Sequence, residues 1–163
     1  MTTIAYRRGI LASDSRVTMV EQGESPHIVS DKEKKIWRLP DGRLFAASRG
    51  CEDGVRLYNL MRAAKPGTKP SLKLDDINAI LIDLNGTIWF YEGNIWQKVK
   101  EPWIAIGSGS RVGAIPAMMA GASAKDAVRI GIKCDPYSGG RIQVLKLRPG
   151  NRAARSSRER TRK

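Results

Sequence analysis

The dipeptide Asn85-Gly86 stands between two β-prone runs, residues 77–84 and 87–91. An Asn-Gly pair accepts positive φ at both central positions of a two-residue turn, which makes it the strongest short-range hairpin signal a sequence carries. It commits the middle of the chain to antiparallel strands. A second hairpin is predicted by residues 35–39 and 43–47 around Pro40-Asp41-Gly42. Shorter strands are expected over 2–6 and 10–13, on either side of Arg8-Gly9, and over 103–106 and 141–147. Helical spacing of Val55, Leu57, Leu60 and Met61 predicts a helix over 52–64, ended by the segment from Pro66 to Pro70. Two more helices are expected, over 112–120 with Pro116 bending or delaying it, and over 123–133 with Ser123 as N-cap. Residues 21–31, polar and containing Pro26, read as a loop. Helices set between hairpins, without βαβ alternation, give an α+β chain.

At 163 residues the chain is one domain's worth. Two cysteines, Cys51 and Cys134, and one histidine, His27, exclude a disulfide framework, a four-thiolate zinc site and a His-rich metal cluster. Both cysteines read as small buried residues. The chain carries 29 Lys+Arg against 16 Asp+Glu, a net +13. Seven of the basic groups and one acid fall in 148–163, beyond the last large apolar residue, Leu147. That segment reads as a disordered basic tail, and the charge balance brings in a nucleic acid or other polyanion as a partner. The tail has no aromatic residue to stack on bases, and no helix-turn-helix or zinc-finger pattern is present. No apolar run approaches the length of a membrane span, and residues 1–8 carry charge where a signal peptide is apolar. A soluble, reducing, cytoplasmic setting without a membrane partner is therefore expected.

Gly107-Ser108-Gly109-Ser110 follows a strand and precedes a helix, as a phosphate loop does. It lacks the Lys-Ser/Thr of a P-loop, and the acid nearest the dinucleotide spacing, Asp126, falls inside a helical pattern. A tight strand-to-helix turn is the simpler reading. No local motif joins either cysteine to His27. Thr2 is more informative. Its side chain is small enough to permit removal of Met1, which would put a hydroxyl nucleophile and a free α-amine on one residue. An α-amine titrates at about 7.7–8.0, suited to accepting a proton near neutrality.

Thr2-Thr3-Ile4, residues 12–18 (Ala-Ser-Asp-Ser-Arg-Val-Thr), residues 34–39 (Lys-Lys-Ile-Trp-Arg-Leu), residues 105–110 (Ala-Ile-Gly-Ser-Gly-Ser) and residues 135–140 (Asp-Pro-Tyr-Ser-Gly-Gly) form an ordered series. The series resembles the β-subunits of the proteasome and their bacterial relative HslV, threonine proteases of the N-terminal-nucleophile hydrolase superfamily. The resemblance runs over 1–147 and leaves 148–163 outside. It implies an αββα sandwich of two antiparallel sheets, with the hairpins at Asp41-Gly42 and Asn85-Gly86 in different sheets or opposite parts of one. It implies Thr2 as nucleophile, Asp14 positioning a lysine, Lys35 as that lysine, and Ser108, Asp135 and Ser138 as polar groups around the terminal amine. No cofactor or metal is implied. The partners implied are a peptide or unfolded protein as substrate, further copies of the chain in a closed ring, and an ATPase unfoldase.

The chain departs from the family in three places. Ser48-Arg49-Gly50-Cys51 replaces the usual Gly-Gly or Gly-Thr segment, which puts Arg49 at the glycine whose N–H serves the oxyanion. Ala47 and Cys51 then fall at pocket-lining positions. One helix over 52–64 stands where the family carries two long ones, so the helical layer is reduced. The tail has no family counterpart. The competing readings are a non-catalytic descendant that keeps the sandwich as an assembly or adaptor module, and a nucleic-acid binder acting through the tail.

Overall fold

The computed structural model describes residues 1–19, 25–49, 51–74 and 77–148. Strands β1 (Ile4–Arg7), β2 (Ile10–Ser13), β10 (Trp103–Ile106) and β11 (Gln143–Lys146) form a four-stranded antiparallel sheet in the order β10-β1-β2-β11. Strands β5 (Ile36–Arg38), β6 (Leu44–Arg49), β7 (Ile77–Ile82), β8 (Ile88–Glu92) and β9 (Ile95–Lys98) form a five-stranded antiparallel sheet in that order. A ribbon of β3 (Val17–Met19) and β4 (His27–Ser30) stands beside them.

Side-chain alternation explains the layers. Ile4, Tyr6, Leu11 and Ile106 of the first sheet meet Ile36, Leu44, Ile80 and Ile82 of the second in one buried cluster between the sheets. The outward residues of the first sheet are small. Ala5, Ala12 and Ala105 allow α3 (Ala124–Cys134) and α2 (Ile115–Met119) to lie close upon it. Outward from the second sheet, Phe45, Ala47, Leu81 and Tyr91 are covered by Leu57 and Met61 of α1 (Cys51–Ala63). The result is an αββα sandwich.

After α1 the chain covers the rest of that face without a second long helix. Leu72 and Leu74 pack into the apolar layer, and polar side chains of the hairpin hold their backbone. The Tyr91 hydroxyl accepts from Leu72 N–H (3.2 Å) and donates to Leu72 C=O, Asn94 Oδ1 accepts from Leu74 N–H (2.8 Å), and Trp96 Nε1 donates to Pro70 C=O (2.9 Å). An extended strap does the covering work of the missing helix.

Several expectations are corrected. The Asn85-Gly86 turn is not a two-residue turn with both φ values positive. Gly86 alone has positive φ (85°), its N–H donates to Asp83 C=O, and Asp83 N–H donates to Thr87 C=O, each at 2.9 Å. This is a type I turn closed by a glycine bulge, and Leu39 to Arg43 repeats it, with Gly42 at φ 89° and Gly42 N–H donating to Leu39 C=O at 2.9 Å. The two-residue turns with positive φ at both positions are Arg8-Gly9 and Gly93-Asn94. The latter leads into β9, an exposed edge strand that the sequence reading missed. The two glycine-bulge hairpins also share one sheet. Because β6 pairs with β7, their turns lie side by side, and a Cβ on Gly42 would stand 3.1 Å from Leu84 Cδ2. Part of the stretch read as a loop is β4, whose Ile28 and Val29 are exposed and therefore gave no burial pattern. The helix expected over 112–120 splits into a π-helical turn (Ser110–Ala114) and α2. Pro116 lacks the N–H that would bond to Val112 C=O, and the wider turn ahead of it accommodates the loss. Cys134 is exposed at the end of α3, not buried. The tail expectation for 148–163 lies, apart from Arg148, outside the described residues. Among the described residues no helix is long and apolar enough to cross a membrane.

Candidate active site

β1 runs antiparallel to both β2 and β10, with Ile4 opposite Ser13 and Ile106. The residue pairs flanking that register, Thr2-Thr3, Asp14-Ser15 and Gly107-Ser108, therefore meet at one end of the sandwich. Lys35 enters there just before β5, and Asp135 caps α3 at the same end.

Thr2 is buried, 5% exposed. Its N–H donates to Ser108 Oγ (3.2 Å), and its Oγ1 donates to the Met1 carbonyl (2.6 Å). The Lys35 ammonium donates to the same carbonyl (3.2 Å), to Arg16 C=O and to Asp14 Oδ1 (2.9 Å). The Asp14 side chain is fully buried, and its charge is spread over three backbone donors besides Lys35. Thr3 N–H reaches Oδ1 at 2.9 Å, and Arg16 and Gly139 N–H reach Oδ2 at 3.2 and 3.0 Å.

A second network runs behind the threonine. Ser108 Oγ and Ser138 Oγ both lie on Asp135 Oδ2, at 2.6 and 2.7 Å, and each donates its one proton to that carboxylate. Ser108 Oγ then faces Thr2 nitrogen as an acceptor, and Ser138 Oγ accepts from Thr3 Oγ1 at 2.8 Å. The direction of every proton is thus set by the single charge on Asp135.

The turn that delivers Ser108 has no room for a side chain. A Cβ on Gly107, whose φ is 95°, would lie 2.0 Å from the Thr2 carbonyl oxygen, and one on Gly109 would lie 2.0 Å from Thr3 Oγ1. Gly107→Ala is expected to cost at least about 1–2 kcal/mol from its φ alone. It must also push the Thr2 carbonyl out of place, so the melting temperature should fall further than the φ cost alone implies. A variant with wild-type stability would refute this placement.

Beside Thr2 a cleft of about 570 Å³ opens between the sheet ends, lined by Thr2, Ser108, Ile106, Phe90, Asn78, Glu92 and Arg111, among others. The structure brings Thr2, Asp14, Lys35, Ser108, Asp135 and Ser138 together. Ala47 packs under α1, with its Cβ 3.0 Å from where a Gly54 Cβ would be. Arg49 ends β6 opposite Ile77. Gly50 and the side chains of Arg49 and Cys51 lie outside the described residues.

Sequence reading did not single out Arg16 and Asp31, which clamp the site from outside. The guanidinium forks onto the carboxylate (Nε–Oδ1 2.7 Å, Nη2–Oδ2 3.2 Å) and lies where a Gly139 side chain would be. Ser15 Oγ ties Asp31 C=O to Arg141 N–H. The only hint was Arg16 inside the 12–18 run, since Asp31 stood in the stretch read as loop. The Arg16 hydrogen bond holds the Asp31 carboxyl below its usual pKa of 3.8. A lowered carboxyl pKa adds stability above the unfolded value and loses it as pH falls through the folded one. Wild type and Asp31→Ala should therefore differ in melting temperature at pH 7 and converge as the pH falls through that lowered pKa. A difference that persists in acid would show that the clamp is not ionic.

Two antiparallel sheets between helical layers, with a threonine at the head of the first strand and a lysine entering from the facing sheet, make up the fold of proteasome β-subunits and HslV, and this chain has that fold. Among solved structures it is similar to Thiobacillus denitrificans BPH, with a TM-score of 0.58 and 19% identity over 91% of this chain and 99% of that one. It is similar also to the same protein in complex with epoxomicin, at a TM-score of 0.59. Eukaryotic HslV from Trypanosoma brucei gives a TM-score of 0.60 and 16% identity over 89% of this chain and 98% of that one. No family model and no curated protein matches the sequence. At these identities the likeness is one of fold.

Proposed function

We propose that the chain is a threonine-type endopeptidase, an N-terminal-nucleophile hydrolase whose nucleophile is Thr2 once the residue before it is cut away. The observation that carries this reading is the convergence of Lys35, Ser108 and the two buried carboxylates, Asp14 and Asp135, on one threonine beside a cleft. While Met1 is attached the Thr2 nitrogen is an amide. Cut free it becomes an amine, with Ser108 Oγ placed to accept one of its hydrogens and so orient its lone pair. Lys35 disfavours a second positive charge nearby and keeps that amine neutral. Thr2 Oγ1 attacks the scissile carbonyl as its proton passes to the amine. The oxyanion is stabilised by Lys35 and by the backbone N–H at Arg49. Collapse expels the leaving amine, which takes the proton back from the α-ammonium and leaves an ester on Thr2. Water, deprotonated by the same amine, hydrolyses that ester.

The substrate is a peptide or unfolded protein. The chain acts in the cytoplasm as a closed homo-oligomer that encloses the sites, with an ATPase unfoldase supplying substrate. BPH has been solved with epoxomicin, and that compound is the probe of choice. Intact mass should show a chain beginning at Thr2 that gains the mass of one epoxomicin and loses this gain in Thr2→Ala. A mature chain that still carries Met1, or a free Thr2 that neither labels nor cleaves peptides, would favour the non-catalytic assembly module instead.

A further inference from the structure

The end of the sandwich away from Thr2 gathers exposed cations. β1 leads away from Thr2, and its last residue, Arg7, lies opposite Ile10 and Trp103. The Arg8-Gly9 turn and the end of β11 meet at this far end, where Leu147 N–H donates to Gly9 C=O at 2.7 Å. Arg38 joins them by donating to Lys146 C=O. From the other sheet come Lys98, opposite Trp89, and Lys100, next to Val99, whose N–H donates to Ile88 C=O at 3.0 Å.

Arg8, Lys98, Lys100, Lys146 and Arg148 are all exposed. The acids nearby do little to balance them. Asp41 and Asp83 are both drawn to Arg43, at 2.7 and 3.9 Å, which leaves exposed Glu101. Arg38 is held below its usual pKa, first by burial and then by the charge of Arg148. Five exposed cations thus stand against Glu101 and two carboxylates drawn to Arg43. Residues 149–163 continue from this end of β11, carrying six further Lys/Arg and one acid.

The chemistry of the surface selects its partner. A membrane-surface site needs an apolar face beneath its cations. Here the aromatic residues of this end, Trp103 and Trp89, are packed into the layers on either side. A single-strand platform needs aromatics that stack on bases, and these cations have none among them. What remains is a set of guanidinium and ammonium donors, which suits phosphate oxygens at the highest available charge density. We propose that this end of the sandwich, opposite Thr2, binds the phosphodiester backbone of a nucleic-acid duplex without reading its bases. The surface is remote from the threonine, and the proposal does not depend on peptidase activity.

The test is fluorescence anisotropy of a fluorescein-labelled DNA duplex of two helical turns, titrated with the full chain at several salt concentrations. The wild type should bind with log K falling steeply and linearly in log salt. The doubly substituted chain Arg8→Gln, Lys146→Gln should bind more weakly, with a slope shallower by about 2, since each phosphate contact contributes about 0.9. Its melting temperature and peptide cleavage should match the wild type, because neither side chain touches the site. Four results would each overturn the proposal. They are absence of duplex binding by the wild type, an unchanged slope in the double variant, tighter binding of the matching single strand, and equal displacement of the duplex by poly-glutamate at the same charge concentration.

Discussion

A chain that keeps even one residue ahead of Thr2 is expected to cleave no peptide, however well it folds. Acylating the amine ties its lone pair into an amide, and Thr2 Oγ1 is left without a base. Loss of a positioned general base typically costs about 10²–10⁴ in rate, and here the same nitrogen must act in both acylation and deacylation. In the structure the Oγ1 proton of Thr2 is already committed to the Met1 carbonyl, 2.6 Å away, which is the geometry of a silent site. Thr2→Ala should be equally inactive while the sandwich survives, since the β1 register begins at Ile4 and only one hydroxyl and one methyl are removed. Thr2→Ser retains both reacting groups but loses the methyl that restricts χ1, so it should keep partial activity. One fluorogenic peptide set measures all three. Cleavage by the extended chain at the wild-type rate would remove the amine from the mechanism.

The sandwich was legible wherever burial and turn chemistry agreed. Residues 4–13, 36–49 and 77–92 alternate because each strand has one sheet and one helical layer to face. Their turns carry glycine where the chain needs positive φ, as at Gly42 and Gly86. What escaped lacked one of those signals. β4 and β9 are exposed edge strands, and Ile28, Val29 and Ile95 stay more than half exposed, so no apolar period marks them. The turn type at Asn85-Gly86 depends on the two backbone hydrogen bonds made at Asp83, which the dipeptide does not encode. The meeting of Thr2, Asp14, Lys35, Ser108 and Asp135 could be expected through resemblance alone. Their separation in sequence is bridged by strand register, and no local pattern carries that.

The second large effect is expected at the Lys35–Asp14 pair. Their side chains are 6% and 0% exposed with Nζ 2.9 Å from Oδ1, so neither charge can turn to water when its partner is removed. Breaking such a buried pair costs about 3–5 kcal/mol. In a domain of this size that corresponds to a fall in melting temperature of roughly 6–20 °C. The two single variants should not be equal. Lys35→Ala leaves the Asp14 carboxylate with the N–H groups of Thr3, Arg16 and Gly139, which still stabilise a negative charge. Asp14→Ala removes the counter-charge of a buried ammonium, which keeps the Met1 and Arg16 carbonyls, and also orphans those three donors, so it should be the more destabilising. Activity should respond in a different proportion. Lys35→Ala removes the cation beside the reacting atoms and should lose about 10²–10³ in kcat even at a temperature where the variant is fully folded. The double variant Asp14→Ala, Lys35→Ala has no unpaired buried charge and should be more stable than the sum of the single losses predicts, by about 0.5–3 kcal/mol. Denaturant titration of the four chains measures that coupling. Strict additivity would mean that the two charges do not depend on each other, and the account of how Lys35 is held beside Thr2 would then fail.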